Sequence, residues 1–229
     1  DPEMSRGLGD VYKRQLLYVK TLHFPLWNKQ RGIPKAYTRL IQYNDSLFIG
    51  TSFMPKEISV ELMNLKTEKV VNSVNFPLKP KEGEYSRPYE CKIATEMNFI
   101  VAAYRYINRL EIYKLSDQKF QLNTIIGDAN NQYDLYRLNK DNEMILHYSD
   151  IVCGKNQIYA LYRGVKEKEL SSANSKIEVY SYDGTHLRTF DLGRSIEKIL
   201  VDESSMRIYA FDRNEEKDIV FCYAIESNT

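Results

Sequence analysis

Four hexapeptides of one pattern carry the residues best suited to hold a ligand. They read Phe48-Ile49-Gly50-Thr51-Ser52-Phe53, Ile100-Val101-Ala102-Ala103-Tyr104-Arg105, Ile158-Tyr159-Ala160-Leu161-Tyr162-Arg163 and Ile208-Tyr209-Ala210-Phe211-Asp212-Arg213. The last position is Arg105, Arg163 and Arg213, with Phe53 in the remaining copy, and Tyr104, Tyr106, Tyr162 and Arg109 stand beside them. A guanidinium is a planar fork of donors that fits a carboxylate or phosphate, and a tyrosine ring offers a face on which a sugar can stack. The expected ligand is therefore anionic or glycan-like, or an acidic patch on a protein partner. Arg105, Tyr106, Arg109, Tyr162, Arg163 and Arg213 form the expected ligand-binding set. The competing reading is structural: arginine closes a strand because its stem covers apolar surface while its head reaches water and pairs with Glu or Asp.

Catalytic and metal chemistry have little to build on. His23, His147 and His186 fall at unrelated places in the pattern, so no metal triad or catalytic dyad is suggested. Cys91, Cys153 and Cys222 are widely separated, without a C-x-x-C pair or a zinc-type histidine spacing. No G-x-S-x-G, P-loop or H-E-x-x-H occurs. Asp202-Glu203 and Glu215-Glu216-Lys217-Asp218 read as solvated turn charges, with weak calcium binding as the alternative. No catalytic residue, metal ligand or cofactor is expected. Asn44-Asp45-Ser46 is a formal glycosylation sequon on an expected turn. The chain has 32 basic and 31 acidic residues for a net charge of +1, which supplies no long-range attraction for nucleic acid or an anionic membrane. No apolar run approaches the ~18 residues of a membrane-spanning helix.

The elements that must position the arginines follow from the repeat. The hexapeptides begin at 48, 100, 158 and 208, a spacing near fifty residues. Each follows a polar turn and, before it, a short strand at 38–43, 91–95, 148–153 or 196–201. A third strand follows at 60–63, 110–113, 177–180 and 219–222; the first three alternate apolar and acidic residues, as in Leu110-Glu111-Ile112, which predicts half-buried strands with the acids turned to water. A fourth strand is expected at 69–76, 120–126 and 186–192, the last entered by a two-residue Asp183-Gly184 turn with positive φ angles. Four-stranded antiparallel units at this period, with no helices between them, are the blades of a β-propeller. Eighteen tyrosines and abundant β-branched residues agree with an all-β chain.

The ends carry their own expectations. Residues 5–15 read Ser-Arg-Gly-Leu-Gly-Asp-Val-Tyr-Lys-Arg-Gln, which resembles an in-frame translation of a sequencing-library transposase adapter, so 1–15 is expected to lie outside the fold. The partial propeller then spans 16–229: an orphan outer strand at 16–27, blades at 36–78, 89–127 and 148–193, and a last blade at 195–226 lacking its fourth strand. The run from Tyr148-Ser149-Asp150-Ile151 through Ile177-Glu178-Val179-Tyr180-Ser181-Tyr182-Asp183-Gly184 to Arg207-Ile208-Tyr209-Ala210 resembles the TolB-like six-bladed propeller proteins of Bacteroidales. The resemblance implies six blades, of which about four are present. It also implies a lipoprotein of the bacterial periplasm or outer membrane, lipid-anchored in full-length form, and it assigns no functional residue.

Two functions remain open. One is a non-catalytic binding module that presents a Tyr/Arg face to a protein or glycan. The other is an enzyme, a lactonase-like hydrolase or polysaccharide lyase, with its site in the central channel. Of the channel-wall candidates Arg39 and Gln42, Lys92 and Glu96, Ser149 and Asp150, Glu197 and Lys198, Asp150 is the best acid. An arc cut from a ring leaves two blade faces and their strand edges bare. Residues 16–229 expressed alone are therefore expected to aggregate or pair edge to edge; a cooperatively melting monomer in sedimentation and calorimetry contradicts the truncation.

Overall fold

A computed structural model of the chain describes residues 27–28, 33–34, 36–54, 57–76, 87–128, 132–212 and 219–225. Ala36–Gln42 (β1), Leu47–Met54 (β2), Glu57–Asn64 (β3) and Lys69–Phe76 (β4) pair in chain order as one antiparallel sheet. Cys91–Glu96 (β5), Phe99–Tyr104 (β6), Arg109–Ser116 (β7) and Lys119–Gly127 (β8) form the second. Ile145–Cys153 (β9), Gln157–Lys166 (β10), Lys176–Ser181 (β11) and His186–Asp191 (β12) form the third. Lys198–Asp202 (β13), Arg207–Phe211 (β14) and Val220–Ala224 (β15) form a three-stranded fourth. Upstream, Trp27–Asn28 bridges Ile33–Pro34. The orphan strand expected over 17–24 lies outside the described residues.

Turn chemistry ends the strands. Asn44 Oδ1 accepts the Ser46 and Leu47 amides at 3.0 and 2.9 Å, and Asn64 Oδ1 accepts those of Lys66 and Thr67 at 2.9 and 3.1 Å. Asp202 does the same for Ser204 and Ser205, and their hydroxyl and amide bonds hold its carboxyl down at about 2. The Asp183-Gly184 connection departs from expectation. It spans the four residues between Ser181 and His186, and only Gly184 has positive φ, at 92°. The Gly184 amide donates to Ser181 O at 3.0 Å, and the Ser181 amide donates to Thr185 O at 3.0 Å. Closing the turn this way needs one left-handed residue, and the glycine supplies it. Nor are the connections free of helix: a single turn, Tyr133–Arg137 (α1), lies between the second and third sheets. Its local sequence has no apolar stripe to reveal it.

The sheets stack side by side: first strands β5 and β13 both pack on β9, and the apolar clusters lie between sheets rather than beneath any one. Ile100, Ala102 and Tyr104 of β6 face the first sheet, whereas Val101 and Ala103 face the third. A strand covered on both sides reads as an apolar run, which is why the hexapeptides lack alternation. The chain is thus all-β, a partial propeller of stacked antiparallel sheets.

That packing overturns the expectation for the acids of the third strands. Glu61 and Glu111 are 4% and 1% exposed, and Glu178 is half-buried. Each lies opposite a small residue of its second strand, in the pairs Gly50–Glu61, Ala102–Glu111 and Ala160–Glu178. Tyrosine hydroxyls solvate the carboxylates: Tyr37 donates to Glu61 at 2.7 Å, Tyr104 and Tyr113 to Glu111 at 3.3 and 3.0 Å, and Tyr148 and Tyr180 to Glu178 at 3.3 and 2.8 Å. Burial, reinforced by the adjoining glutamate, pushes the Tyr37, Tyr113, Tyr148 and Tyr180 phenols far above their ordinary value, so all remain donors. Glycine is required at position 50 because a Cβ there would meet the Tyr37 ring at 2.8 Å. In the fourth sheet Phe221 takes the glutamate's place opposite Ala210, under the Arg194 guanidinium 3.6 Å from its ring centre.

Removing a buried carboxylate strands its donors. Glu111→Leu is expected to cost about 3 kcal/mol, because the Arg109 guanidinium beside it is left without its counter-charge. Glu178→Leu, half-buried and without an arginine partner, should cost less. Urea unfolding of the two variants checks the order.

Candidate functional site

One end of the arc gathers the connections from second to third strands and from fourth strands to the next first strand. There a cavity of 310 Å³ opens between the second, third and fourth sheets. Its wall is set by the register. Lys92 of β5, Asp150 of β9 and Lys198 of β13 pair with Ala103, Leu161 and Phe211, each the residue after the small one of its second strand. Arg39 holds the same register in β1, opposite Thr51. Lys92, Asp150 and Lys198 all line the cavity, with Arg105, Arg163, Glu167, Lys168, Glu197 and Asp212 around them. Ser149, Ser171, Ser195, Leu146 and Leu170 complete the wall, and among the described residues no aromatic ring lines it.

The carboxylates here are engaged. Glu167 Oε1 accepts the Tyr106 hydroxyl at 2.9 Å and an Arg87 N–H at 3.2 Å, while Arg87 also bonds Asp141 Oδ2 at 2.6 Å. Asp150 Oδ2 accepts the Ile199 amide at 2.9 Å. Glu197 and Asp212 have interactions of their own and act electrostatically on Arg163. The cations are less committed. Lys168 pairs with Glu143, yet among the described residues neither Lys92 nor Lys198 forms an ion pair. Arg105 uses only Nε, donating to the Tyr106 hydroxyl at 3.2 Å with its guanidinium 5.5 Å from that ring. The wall therefore offers three cationic heads and no equally free acid.

The expected ligand-binding residues divide accordingly. Arg105 and Arg163, alike in the repeat, both line the cavity. Arg163 is 8% exposed and spends its guanidinium on the protein: Nη1 donates to Ile196 O at 2.6 Å, and Nη2 to Ser195 Oγ at 2.8 Å and to Leu170 O. Burial lowers its pKa, but a guanidinium stays charged at any ordinary pH. Ser175, fully buried, extends the clamp by accepting the Ile196 amide at 2.7 Å. Arg163 thus ties the loop after β10 to the loop before β13. Tyr106 is 1% exposed behind Arg105 and is not on the wall. Arg109 lies apart, its Nε 2.8 Å from Glu111 Oε1. Tyr162 packs edge-on against Tyr148, ring centres 5.3 Å apart. Arg213 lies outside the described residues. The hexapeptides do not mark Lys92 and Lys198, which enter the sequence reading only as channel-wall candidates; the structure puts both on the cavity wall with Asp150.

The clamp predicts unequal losses. Arg163→Met takes the charged donor from the carbonyls of Ile196 and Leu170, leaving them only the Ser175 and Ser195 hydroxyls at 3.2 and 2.8 Å, and should cost about 2–3 kcal/mol in urea unfolding. Amide exchange at Ile196 should quicken with it. Arg105→Met, whose head bonds one hydroxyl, should cost under about 1 kcal/mol.

The profile of the TolB-like 6-blade propeller-like family matches residues 17–204. None of the curated proteins matches the chain in sequence. Among solved structures, the WD40 domain of Toxoplasma gondii coronin is 10% identical with a TM-score of 0.52, the match covering 86% of this chain and 47% of that one. Kuenenia stuttgartiensis hydrazine synthase is 12% identical with a TM-score of 0.49, covering 92% and 49%. A putative 6-phosphogluconolactonase from Bacteroides fragilis is 10% identical with a TM-score of 0.42, covering 91% and 58%. The coronin likeness is one of fold, and the chain spans about half the length of the first two of these proteins.

Proposed function

Because the chain belongs to the TolB-like 6-blade propeller-like family, we propose that it is the binding part of a bacterial envelope protein, a periplasmic or outer-membrane lipoprotein, that holds an acidic segment of a partner protein. One observation carries this reading: Lys92, Arg105 and Lys198 turn uncommitted cationic heads to one cavity whose carboxylates are already engaged. A ligand carboxylate entering there gains charge-assisted bonds without first breaking an internal ion pair of either lysine. Protein is favoured over glycan because, among the described residues, no aromatic face lines the cavity for a sugar to stack on. The volume, at the small end of ligand pockets, suits one or two acidic side chains rather than a whole oligosaccharide.

A labelled hexaglutamate peptide and an oligogalacturonate of equal charge separate the two ligands. The peptide should bind, and more weakly as salt is raised. Lys92→Met with Lys198→Met should weaken it by about tenfold or more, with melting temperature unchanged. Tighter binding of the oligogalacturonate overturns the choice of protein, and an unaltered affinity in the lysine variant overturns the site. The second reading, an enzyme of lactonase or lyase type, rests on Asp150, a partly buried acid on the channel wall whose pKa burial raises. Turnover of lactone or polysaccharide that Asp150→Asn abolishes would favour it.

A further inference from the structure

Asp150 stands where an incoming anion would want a cation. Along the channel wall the shared register runs Lys92, Asp150, Lys198, placing one acid between the two lysines. Asp150 pairs with neither, for no lysine nitrogen lies within ion-pair distance of it among the described residues. Its carboxyl is fixed instead by the Ile199 amide, 2.9 Å from Oδ2. A carboxylate held close to two cations, but out of contact with both, lowers their field at the cavity mouth while leaving their heads free.

We infer that Asp150 is the built-in counter-charge of the cavity, and that taking up a proton there opens the Lys92–Lys198 seat to an acidic ligand. The inference rests on the acidic-ligand reading above and adds its control. Protonation costs the fold little, because a carboxylic acid still accepts from Ile199 through its carbonyl oxygen. The direction of titration agrees: burial raises the Asp150 pKa above its ordinary value, against the opposing pull of the Ile199 and Ile151 amides and of Lys92 and Lys198. The sign follows. The neutral form repels an anion less, so affinity rises as pH falls through the raised pKa. Reciprocally, a bound anion draws a proton onto Asp150.

Other charges face the same strand. Lys92 comes from β5, Lys198 and Glu197 from β13 and the residue before it, Arg163 from β10, and Arg105, Glu167, Lys168 and Asp212 from the surrounding loops and strand ends. His147, on β9 itself, is a second titratable group; burial lowers its pKa against the pull of Asp128. It lies off the cavity wall, so its replacement separates the two groups.

The probe is a labelled hexapeptide of cysteic acid, whose sulfonates keep their charge throughout, titrated into the whole chain at about pH 7.5 and about pH 5. Wild type should bind more tightly at the lower pH. Asp150→Asn, which keeps an oxygen for Ile199, should bind more tightly than wild type at the higher pH and lose the pH dependence. His147→Gln should keep it. Calorimetry of wild type in buffers of different ionisation enthalpy should show proton uptake on binding, absent in Asp150→Asn. If Asp150→Asn keeps the wild-type slope, or His147→Gln removes it, the control is overturned while the site stands. If Lys92→Met and Lys198→Met leave binding unaltered at both values, the acidic-ligand reading falls and the inference with it.

Discussion

A sheet covered on both faces has almost nowhere to put a charge, and that constraint shapes the rest of this molecule. The second and third sheets are sandwiched between neighbours, so the middle of each second and third strand must be apolar, small or internally neutralised. The strand ends and the loops joining them are the places left for water. Charge is therefore expelled along the strands toward the two ends of the arc.

The buried glutamates are the exception that shows the rule's cost. Glu61, Glu111 and Glu178 sit in the inter-sheet layers only because each finds hydroxyl donors and a small residue across the ladder. Tyrosine suits that task, since its ring fills apolar volume while its hydroxyl reaches the carboxylate. The abundance of tyrosine thus has a structural cause in the interior. Tyr104, Tyr148 and Tyr180, which a surface reading would assign to ligands, lie at most 7% exposed.

Expulsion of charge to one end also made the cavity. Arginines alike in the repeat came out unlike in use because their surroundings differ. Arg163 meets carbonyls of two loops, shares them with the Ser175 and Ser195 hydroxyls and closes over them, whereas Arg105 meets a single tyrosine hydroxyl. Inner-strand residues of one register converge because first strands pack near the axis, so side chains about fifty residues apart in sequence share one wall.

The sequence by itself determined the fold. Period-two patterning, turn residues such as Asn44, Asn64 and Asp202, and a repeat near fifty residues specify antiparallel sheets of three or four strands, because each signal is local to one hairpin. It also marked Arg105 and Arg163, which the structure places on one cavity wall. Only tertiary structure decided which polar groups are spent and which are free. Whether Glu111 faces water, whether Arg163 reaches a ligand or a carbonyl, and whether Lys92 has a partner depend on what the neighbouring sheet presents across the gap. That is long-range information, carried by no single hairpin. The short helix α1 escaped notice for the same reason: it is held from outside, by Gln132 bridging Tyr106 O and Ile145 O at 2.8 and 2.9 Å, rather than by a pattern of its own.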